Sequence, residues 1–246
     1  MSDAMSDAEL AAHLAETAGR ILLEVREAGI FSAAALGKAG DQTANQFLVH
    51  AIRAARPNDG LLSEEMKCDG DRLGKSRVWI VDPVDGTREY GERREDWAVH
   101  VALTIDGVAM IGAVSLPGAG LVFRSDQPQP VPPPADPLRM LVSRTRPAPE
   151  AVAVAEQLGA TLVPMGSAGA KAMAVVRGEA DIYLHSGGQY EWDSAAPVAV
   201  AAAHGLHCSR LDGTALVYNR EDVYLPDLLI CPRELAEQVL TLIREA

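Results

Sequence analysis

Two aspartates close an apolar, strand-like run, an arrangement that suits the binding of a divalent cation. The run RVWIVDP (77–83) contains Asp82 just before its proline, and Asp85 follows three positions after Asp82. Hard cations such as Mg²⁺ prefer oxygen ligands. A bend fixed by proline can therefore aim both carboxylates and the carbonyl of Val84 at one point. The alternative interpretation is an ordinary turn whose aspartates only cap a helix.

The residues that follow this turn could bind phosphate. Gly86 and Thr87 begin a helix-like segment, and the first N–H groups of a helix have no partner inside it. Such groups face outward, where the helix dipole favours an anion. We therefore expect phosphate oxygens to lie near Asp85 and the backbone of Gly86 and Thr87.

Further acidic residues stand at the edges of other predicted elements. Glu64 and Glu65 follow a short apolar run, Asp193 precedes an alanine-rich helical stretch, and Asp41 begins a helical pattern. Each has an ordinary structural interpretation. The glutamates could be a solvated surface pair, and an aspartate before a helix is commonly its N-cap. None of them indicates a function by itself.

The first half of the chain has helical patterns followed by strand patterns. Apolar residues at helical spacing predict an amphipathic helix over 6–28, with Ser6 and Glu9 as a capping box, and a second helix over 41–56. After the strand at 77–83, the segment 97–126 alternates and breaks at two Asp-Gly or Pro-Gly pairs, as antiparallel hairpins do.

A proline-rich segment predicts the domain boundary. Residues 126–137 hold six prolines in twelve positions, which excludes a helix or a central strand. We expect an N-terminal α+β half over 1–126, a connector over 127–137 and a C-terminal α/β half over 138–246. The predicted elements of the second half are strands at 138–144, 161–166 and 180–185, and helices at 149–159, 168–179 and 192–205.

Composition excludes several classes of protein. The chain has 246 residues, 34 acidic against 22 basic, and a formal net charge of −12. No basic run provides the electrostatic footprint of a nucleic-acid or membrane-surface binder. No apolar stretch reaches the length of a membrane span, the N-terminus is acidic, and the three cysteines show no metal or disulfide spacing. These features favour a cytoplasmic protein with reduced thiols.

Taken together, the acidic motifs resemble those of a known superfamily. SEE (63–65), DPVDGT (82–87) and WDSAA (192–196) are similar to the motifs of the inositol monophosphatase superfamily, the lithium-sensitive, Mg²⁺-dependent phosphatases. The resemblance extends over nearly the whole chain. It implies an α/β (α+β) fold, the layered αβαβα sandwich of inositol monophosphatase, with the site between the two halves.

The resemblance also assigns roles to individual residues. It implies two or three Mg²⁺ ions, with Li⁺ as an inhibitor. The expected metal ligands are Glu64, Asp82, the carbonyl of Val84, Asp85 and Asp193. The expected catalytic residues are Glu64, which reaches a third ion through water, and Thr87 with Asp41, which would orient and deprotonate the attacking water. Upstream of Asp41 the usual pattern of the family is replaced by LGKAG (36–40), which has no threonine and no second aspartate.

Residues next to the central motif indicate a subgroup. Arg88, Glu89 and Tyr90 after the threonine resemble the 3′-phosphoadenosine 5′-phosphate phosphatases of the CysQ type, most closely the actinobacterial ones. Such enzymes remove the 3′-phosphate to give AMP, and 3′-phosphoadenosine 5′-phosphosulfate is a possible second substrate. Substrate contacts are expected from Ser143, Arg144 and Lys171, with Arg146 also near.

Other functions stay open at this point. The metal site alone is compatible with inositol monophosphatase or fructose-1,6-bisphosphatase activity. A non-enzymatic, nucleotide-binding regulator with the same fold is a second class, although every acidic residue of the central motifs is present. A phosphatase with an aspartyl nucleophile is a third, but its paired aspartates lie two apart rather than three. The family resemblance also allows a homodimer.

Overall fold

The structure is a computed structural model in which residues 5–66 and 70–245 are described. Its helices are α1 (Asp7–Glu27), α2 (Ala33–Ala55), α3 (Thr87–Gly91), α4 (Pro149–Leu158), α5 (Ala168–Val176), α6 (Glu191–Ala203) and α7 (Arg233–Glu245). Its strands are β1 (Gly60–Ser63), β2 (Arg77–Asp85), β3 (Ala98–Ile105), β4 (Val108–Leu116), β5 (Leu121–Arg124), β6 (Arg139–Ser143), β7 (Thr161–Met165), β8 (Ile182–Tyr190), β9 (His207–Ser209) and β10 (Tyr224–Cys231).

The strands form two five-stranded sheets. The first has the order β1-β2-β3-β4-β5, and the second β7-β6-β8-β10-β9. In the first sheet β1 runs parallel to β2, and the other neighbours are antiparallel. In the second sheet β6 is parallel to β7 and β8, whereas β10 is antiparallel to β8 and β9. The parallel and antiparallel pairs make this a mixed α/β protein.

Strand β2 shows how the layers are built. Its side chains alternate between two hydrophobic clusters, because successive residues of a strand point to opposite faces. Trp79 and Val81 pack among residues of α1 and α2, whereas Val78 and Ile80 pack among residues of α5, α6 and the second sheet. The first sheet is therefore covered by helices on both faces.

The second sheet is covered in the same way. Its inner residues, such as Tyr183, belong to the cluster that contains α5 and α6. Its outer residues, such as Met140 and Ile182, pack against Val154 of α4 and Val239 of α7. The order helix, sheet, helix, sheet, helix confirms the predicted αβαβα sandwich.

Helix α1 was predicted correctly, but α2 begins at Ala33 rather than at Asp41. The two glycines of LGKAG lower the helix propensity of this stretch. In the structure these glycines permit close packing: a Cβ on Gly37 would lie 2.7 Å from a methyl carbon of Thr87, and one on Gly40 would lie 2.6 Å from the ring of Tyr90. The glycines thus let α2 approach the segment that follows the acidic turn.

The remaining differences are at the ends of elements, at β1, which was predicted only as a short apolar run, and in the C-terminal region. Strand β8 continues to Tyr190 rather than ending at His185, because its last residues pair with β10. Strands β9 and β10 and helix α7 have no counterpart among the elements predicted from sequence. The hairpins of β3, β4 and β5 turn where the Asp-Gly and Pro-Gly pairs predicted.

The division into two domains stays a prediction. The segment between β5 and β6 forms neither helix nor strand, as expected for the connector, but the central cluster draws on residues from both sides of it. Cys208 and Cys231 are free thiols, and Cys68 lies outside the described residues. Within 5–66 and 70–245, no helix is both long and apolar enough for a membrane crossing.

Candidate active site

The acidic turn is shaped by a break in strand pairing at the end of β2. The β2–β3 register shifts between Asp82 and Asp85, and a carboxylate oxygen of Asp82 accepts the N–H of Val84 at 3.0 Å. Gly86 then adopts a left-handed conformation, with φ of 87°, and Thr87 begins α3. A side chain is disfavoured at Gly86 because of this φ value. The break turns both aspartates towards the C-terminal half of the chain.

Three carboxylates meet at this turn. Asp82, Asp85 and Asp193 each place an oxygen within 4.8 Å of the others. Asp82 and Asp85 are buried at the end of β2. Asp193 comes from α6, which follows the connector in the sequence. One oxygen of Asp193 accepts the N–H of Tyr190 at 2.6 Å, which caps α6 and fixes the carboxylate. The structure thus brings together residues that lie more than a hundred positions apart in the sequence.

Mutual repulsion is a defining property of this acidic cluster. Desolvation raises the pKa of Asp82 well above its ordinary value, and the charges of Glu64, Asp85 and Asp193 raise it further. Desolvation and then the charge of Asp85 raise the pKa of Asp193 to about 7. A divalent cation would relieve this repulsion, and oxygen donors are the ligands it prefers. The donor set therefore fits a divalent metal.

Asp85 differs from its neighbours because protein donors surround it. It accepts the Ser167 hydroxyl at 2.5 Å and the N–H groups of Ala168 at 3.0 Å and Gly169 at 2.6 Å. Nε2 of His100 lies 3.2 Å away. Desolvation acts to raise the pKa of Asp85, but the charge and hydrogen bond of His100, with the Ser167 and Gly169 bonds, lower it to about 2.

Glu64 lies beside Asp82 because β1 pairs with β2. Ser63 is in register with Val81, and the N–H of Glu64 donates to the carbonyl of Val81 at 3.4 Å. Desolvation and the charge of Asp41 raise the pKa of the Glu64 carboxyl to about 7, although a hydrogen bond with Asp82 opposes the increase. The predicted set of Glu64, Asp82 and Asp41 is therefore close together in space.

Thr87 and Asp41 are also neighbours, across the contact between α2 and α3. The Thr87 hydroxyl lies 3.3 Å from a carboxylate oxygen of Asp41 and 3.1 Å from the carbonyl of Val84. Desolvation, followed by the charge of Glu65, raises the pKa of Asp41 to about 7, and the Thr87 hydrogen bond lowers it slightly. This pair has the geometry of a proton acceptor linked to a hydroxyl.

The predicted substrate contacts make protein contacts in this structure. Nη2 of Arg144 donates to Glu89 and Glu92, both at 2.9 Å. Nζ of Lys171 is buried and donates to the carbonyls of Gly166 at 3.2 Å and Ser167 at 2.6 Å.

The third predicted substrate contact, Ser143, accepts the N–H of Arg146 at 3.3 Å through its hydroxyl. For Ser143, Arg144 and Lys171, substrate binding stays a prediction.

Sequence reasoning missed His100 and Ser167. His100 is fully buried on β3, in register with Asp82, and its Nδ1 lies 3.0 Å from the carbonyl of Trp192. Nδ1 thus faces the carbonyl of Trp192, and Nε2 faces the carboxylate of Asp85. Desolvation acts to lower the pKa of His100, but the charge and hydrogen bond of Asp85 raise it above its ordinary value. Only the pairing of β3 with β2 reveals the position of His100, and no local spacing indicates it.

The fold and the site together define a class: a layered α/β protein with a carboxylate metal-type site between its central layers. A comparison with family models matches residues 7–246 to the inositol monophosphatase family. This chain belongs to that family.

Similar proteins refine the comparison. The chain is 49% identical to a 3′-phosphoadenosine 5′-phosphate phosphatase of Mycobacterium leprae, over 98% of this chain and 94% of the relative. It is 29% identical to the 3′(2′),5′-bisphosphate nucleotidase CysQ of Escherichia coli K12, over 76% of this chain and 81% of the relative. The crystal structure of CysQ from Bacteroides thetaiotaomicron aligns with a TM-score of 0.80 at 25% identity, covering 93% of this chain and 98% of that one.

Proposed function

We propose that this protein is a phosphomonoesterase that hydrolyses the 3′-phosphate of 3′-phosphoadenosine 5′-phosphate to give AMP and phosphate. The observation that carries the proposal is the convergence of Asp82, Asp85 and Asp193 from two distant parts of the chain. The identity to the Mycobacterium leprae relative supports this substrate. 3′-Phosphoadenosine 5′-phosphosulfate is a proposed second substrate, because it carries the same 3′-phosphate.

The acidic cluster is proposed to hold two or three Mg²⁺ ions through Glu64, Asp82, the carbonyl of Val84, Asp85 and Asp193. When bound, such ions supply positive charge that stabilises the transferring phosphoryl group and lowers the pKa of water. Li⁺ is the proposed inhibitor by resemblance to the family. Burial raises the pKa of Asp82, and the charges of Glu64, Asp85, Asp193 and Asp41 raise it further.

Thr87 and Asp41 are proposed to handle the proton of the attacking water. A new P–O bond forms from the water oxygen, and the bond between phosphorus and the 3′-oxygen breaks. One water proton passes through the Thr87 hydroxyl to the Asp41 carboxylate, and the 3′-oxygen takes up a proton from a solvent water as it leaves. A pKa of about 7 for Asp41 suits a proton acceptor near neutral pH. The N–H groups of Gly86 and Thr87 would hold the phosphate oxygens.

The decisive experiment is phosphate release from a panel of substrates, with Mg²⁺ and with EDTA. The panel contains 3′-phosphoadenosine 5′-phosphate, inositol 1-phosphate and fructose 1,6-bisphosphate at equal concentration. We expect the nucleotide to react fastest and EDTA to abolish the activity. A preference of tenfold or more for inositol 1-phosphate would overturn the nucleotide assignment.

A matched pair of variants tests the role of the metal ligand. Asp82→Asn removes the charge without changing volume, so we expect turnover to be lost while the fold is kept. Asp106→Asn is the control, because Asp106 is exposed at a hairpin turn with φ of 49°, which asparagine tolerates. If Asp82→Asn retained more than about a tenth of the activity, a barrier change below ~1.4 kcal/mol, the proposed role of Asp82 would be wrong.

A further inference from the structure

An aromatic cluster lies beside the acidic site. Tyr190 and Trp192 are stacked, with ring centroids 5.0 Å apart and planes 13° apart. Tyr224 meets Tyr190 edge to face, with centroids 5.9 Å apart. Tyr190 and Tyr224 are paired in register between β8 and β10, which fixes their side chains next to each other. We call Tyr190, Trp192 and Tyr224 the aromatic cluster.

The backbone of this cluster is bonded directly to residues of the acidic site. The N–H of Tyr190 donates to Asp193 at 2.6 Å. The carbonyl of Trp192 lies 3.0 Å from Nδ1 of His100, whose other ring nitrogen lies 3.2 Å from Asp85. The backbone of Tyr190 and Trp192 is therefore anchored to residues of the acidic site.

Two of the three rings face solvent. Tyr190 is 42% exposed and Tyr224 is 38% exposed, whereas Trp192 packs against the central hydrophobic cluster. The irregular part of β8 next to them is open, because added Cβ atoms at Gly187 and Gly188 would meet nothing within 4 Å. The hydroxyl of Tyr224 accepts the N–H of Gly188 at 3.1 Å, which holds this part of β8 beside the rings.

We propose that the exposed rings of Tyr190 and Tyr224 bind the nucleobase of the substrate and select nucleotides over sugar or inositol phosphates. This inference rests on the proposed function. Every base has a π-face, and stacking on aromatic side chains contributes substantially to the binding of nucleotides. An inositol or hexose phosphate has no aromatic ring, so it gains little from these side chains. Trp192, behind Tyr190, keeps that ring in a fixed orientation.

The substitution that tests this proposal is Tyr190→Ala, which removes the exposed ring and keeps the N–H that donates to Asp193. We expect KM for 3′-phosphoadenosine 5′-phosphate to rise about 10- to 100-fold, the range that stacking energies imply. With inositol 1-phosphate as substrate, kcat/KM should change by less than about twofold. Tyr190→Phe keeps the ring and should resemble the unchanged protein with both substrates.

Tyr224→Phe and Tyr224→Ala separate the role of the Tyr224 ring from that of its hydroxyl, which contacts Gly188 of β8. The phenylalanine variant loses only the hydroxyl that holds Gly188, whereas the alanine variant loses the ring as well. We expect a rise in KM for the nucleotide only in the alanine variant. An equal rise in both variants would indicate that the role of Tyr224 is to hold Gly188 of β8, and would overturn its part in base binding.

Product inhibition gives a second readout that needs no base-free substrate. In Tyr190→Ala, the inhibition constant of AMP should rise about tenfold or more, while that of inorganic phosphate stays unchanged. If the constants for AMP and phosphate rose together, or neither did, Tyr190 would have no role in base recognition. Failure of the unchanged protein to release phosphate from the nucleotide would instead overturn the proposed function, before any substitution is made.

Discussion

The two aspartates of the central turn should respond in opposite ways to the same substitution. Asp82 is crowded by other carboxylates, whereas Asp85 is surrounded by donors. Replacement by asparagine removes one negative charge in each case and leaves the volume almost unchanged. In metal-free protein at pH 7.5, we expect Asp85→Asn to destabilise the fold and Asp82→Asn to leave it equally stable or more stable.

The size of the Asp85 effect follows from its pKa. A fall from 3.8 to about 2 means that the ionised form contributes about 2 kcal/mol to stability. Because the folded-state pKa is depressed, this contribution is present above about pH 4 and is lost as the pH falls towards 2. It is therefore complete at pH 7.5.

The Asp85→Asn substitution would also create a direct conflict. Both oxygens of Asp85 accept N–H or O–H groups from residues 167–169, so the amide NH₂ must face a donor whichever way it is turned. A buried donor without an acceptor costs about 1–3 kcal/mol. The total loss is about 3–5 kcal/mol, which corresponds to a decrease in Tm of roughly 10 °C for a chain of this size.

The Asp82→Asn substitution avoids this conflict. The side-chain oxygen of the introduced amide could still accept the N–H of Val84, and the neutral amide would no longer repel Glu64, Asp85 and Asp193. The carboxyl of Asp82 has a raised pKa because burial and those charges oppose its ionisation. The substitution therefore relieves repulsion that the metal-free protein otherwise retains.

Thermal unfolding followed by circular dichroism, first in EDTA and then with Mg²⁺, measures both effects. In EDTA the order of Tm should be Asp82→Asn at or above the unchanged protein, with Asp85→Asn clearly below. Addition of Mg²⁺ should raise Tm of the unchanged protein more than that of either variant, because each variant lacks a ligand. Equal decreases for both variants in EDTA would refute the contrast between a repelled and a bonded carboxylate.

Two further substitutions test the packing around the site. Gly169→Ala would place a Cβ 2.1 Å from Nε2 of the buried His100. It should therefore lower the free energy of unfolding in urea titrations by about 1–2 kcal/mol, despite the better helix propensity of alanine. Gly74→Ala is the control, because a Cβ there would meet nothing within 4 Å, and equal stability of the two variants would contradict the packing argument. Desolvation and the charge of Lys171 lower the pKa of His185 to about 4. The stability that the neutral imidazole provides is therefore complete above about pH 6.5 and is lost as the pH falls to 4. His185→Gln should flatten the dependence of Tm on pH over that window, and an unchanged dependence would show that the acid sensitivity arises from other groups.

Much of the fold could be predicted because its signals are local. The period of α1, its capping box and the hairpin turns each occupy a short stretch of sequence. The predicted start of α2 was wrong because of contacts that are distant in the sequence. Gly37 and Gly40 lower helix propensity, yet they face Thr87 and Tyr90, and this packing outweighs propensity.

The candidate site divides in the same way. The acidic residues could be predicted as metal ligands because they occur in three recognisable motifs, SEE, DPVDGT and WDSAA. The sequence does not show that these motifs meet in space. The donors around Asp85 could not be proposed. Ser167 and Gly169 reach it because α5 begins against the end of β2, and His100 reaches it through strand pairing. These contacts exist only after the layers have packed.

The net charge of the chain affects what the basic residues near the site bind. In a chain with a formal charge of −12, carboxylates and backbone carbonyls compete with phosphate for the basic residues near the site. Arg144 bonds two glutamates, and the buried Lys171 bonds two carbonyls at the start of α5 while its charge faces Asp85 and Glu89. Lys171 thus offsets part of the negative charge of the acidic site. Because Arg144 and Lys171 bond protein groups in this structure, we expect bound metal to supply much of the positive charge that a doubly phosphorylated substrate requires. The exposed rings would then recognise the base, as proposed above.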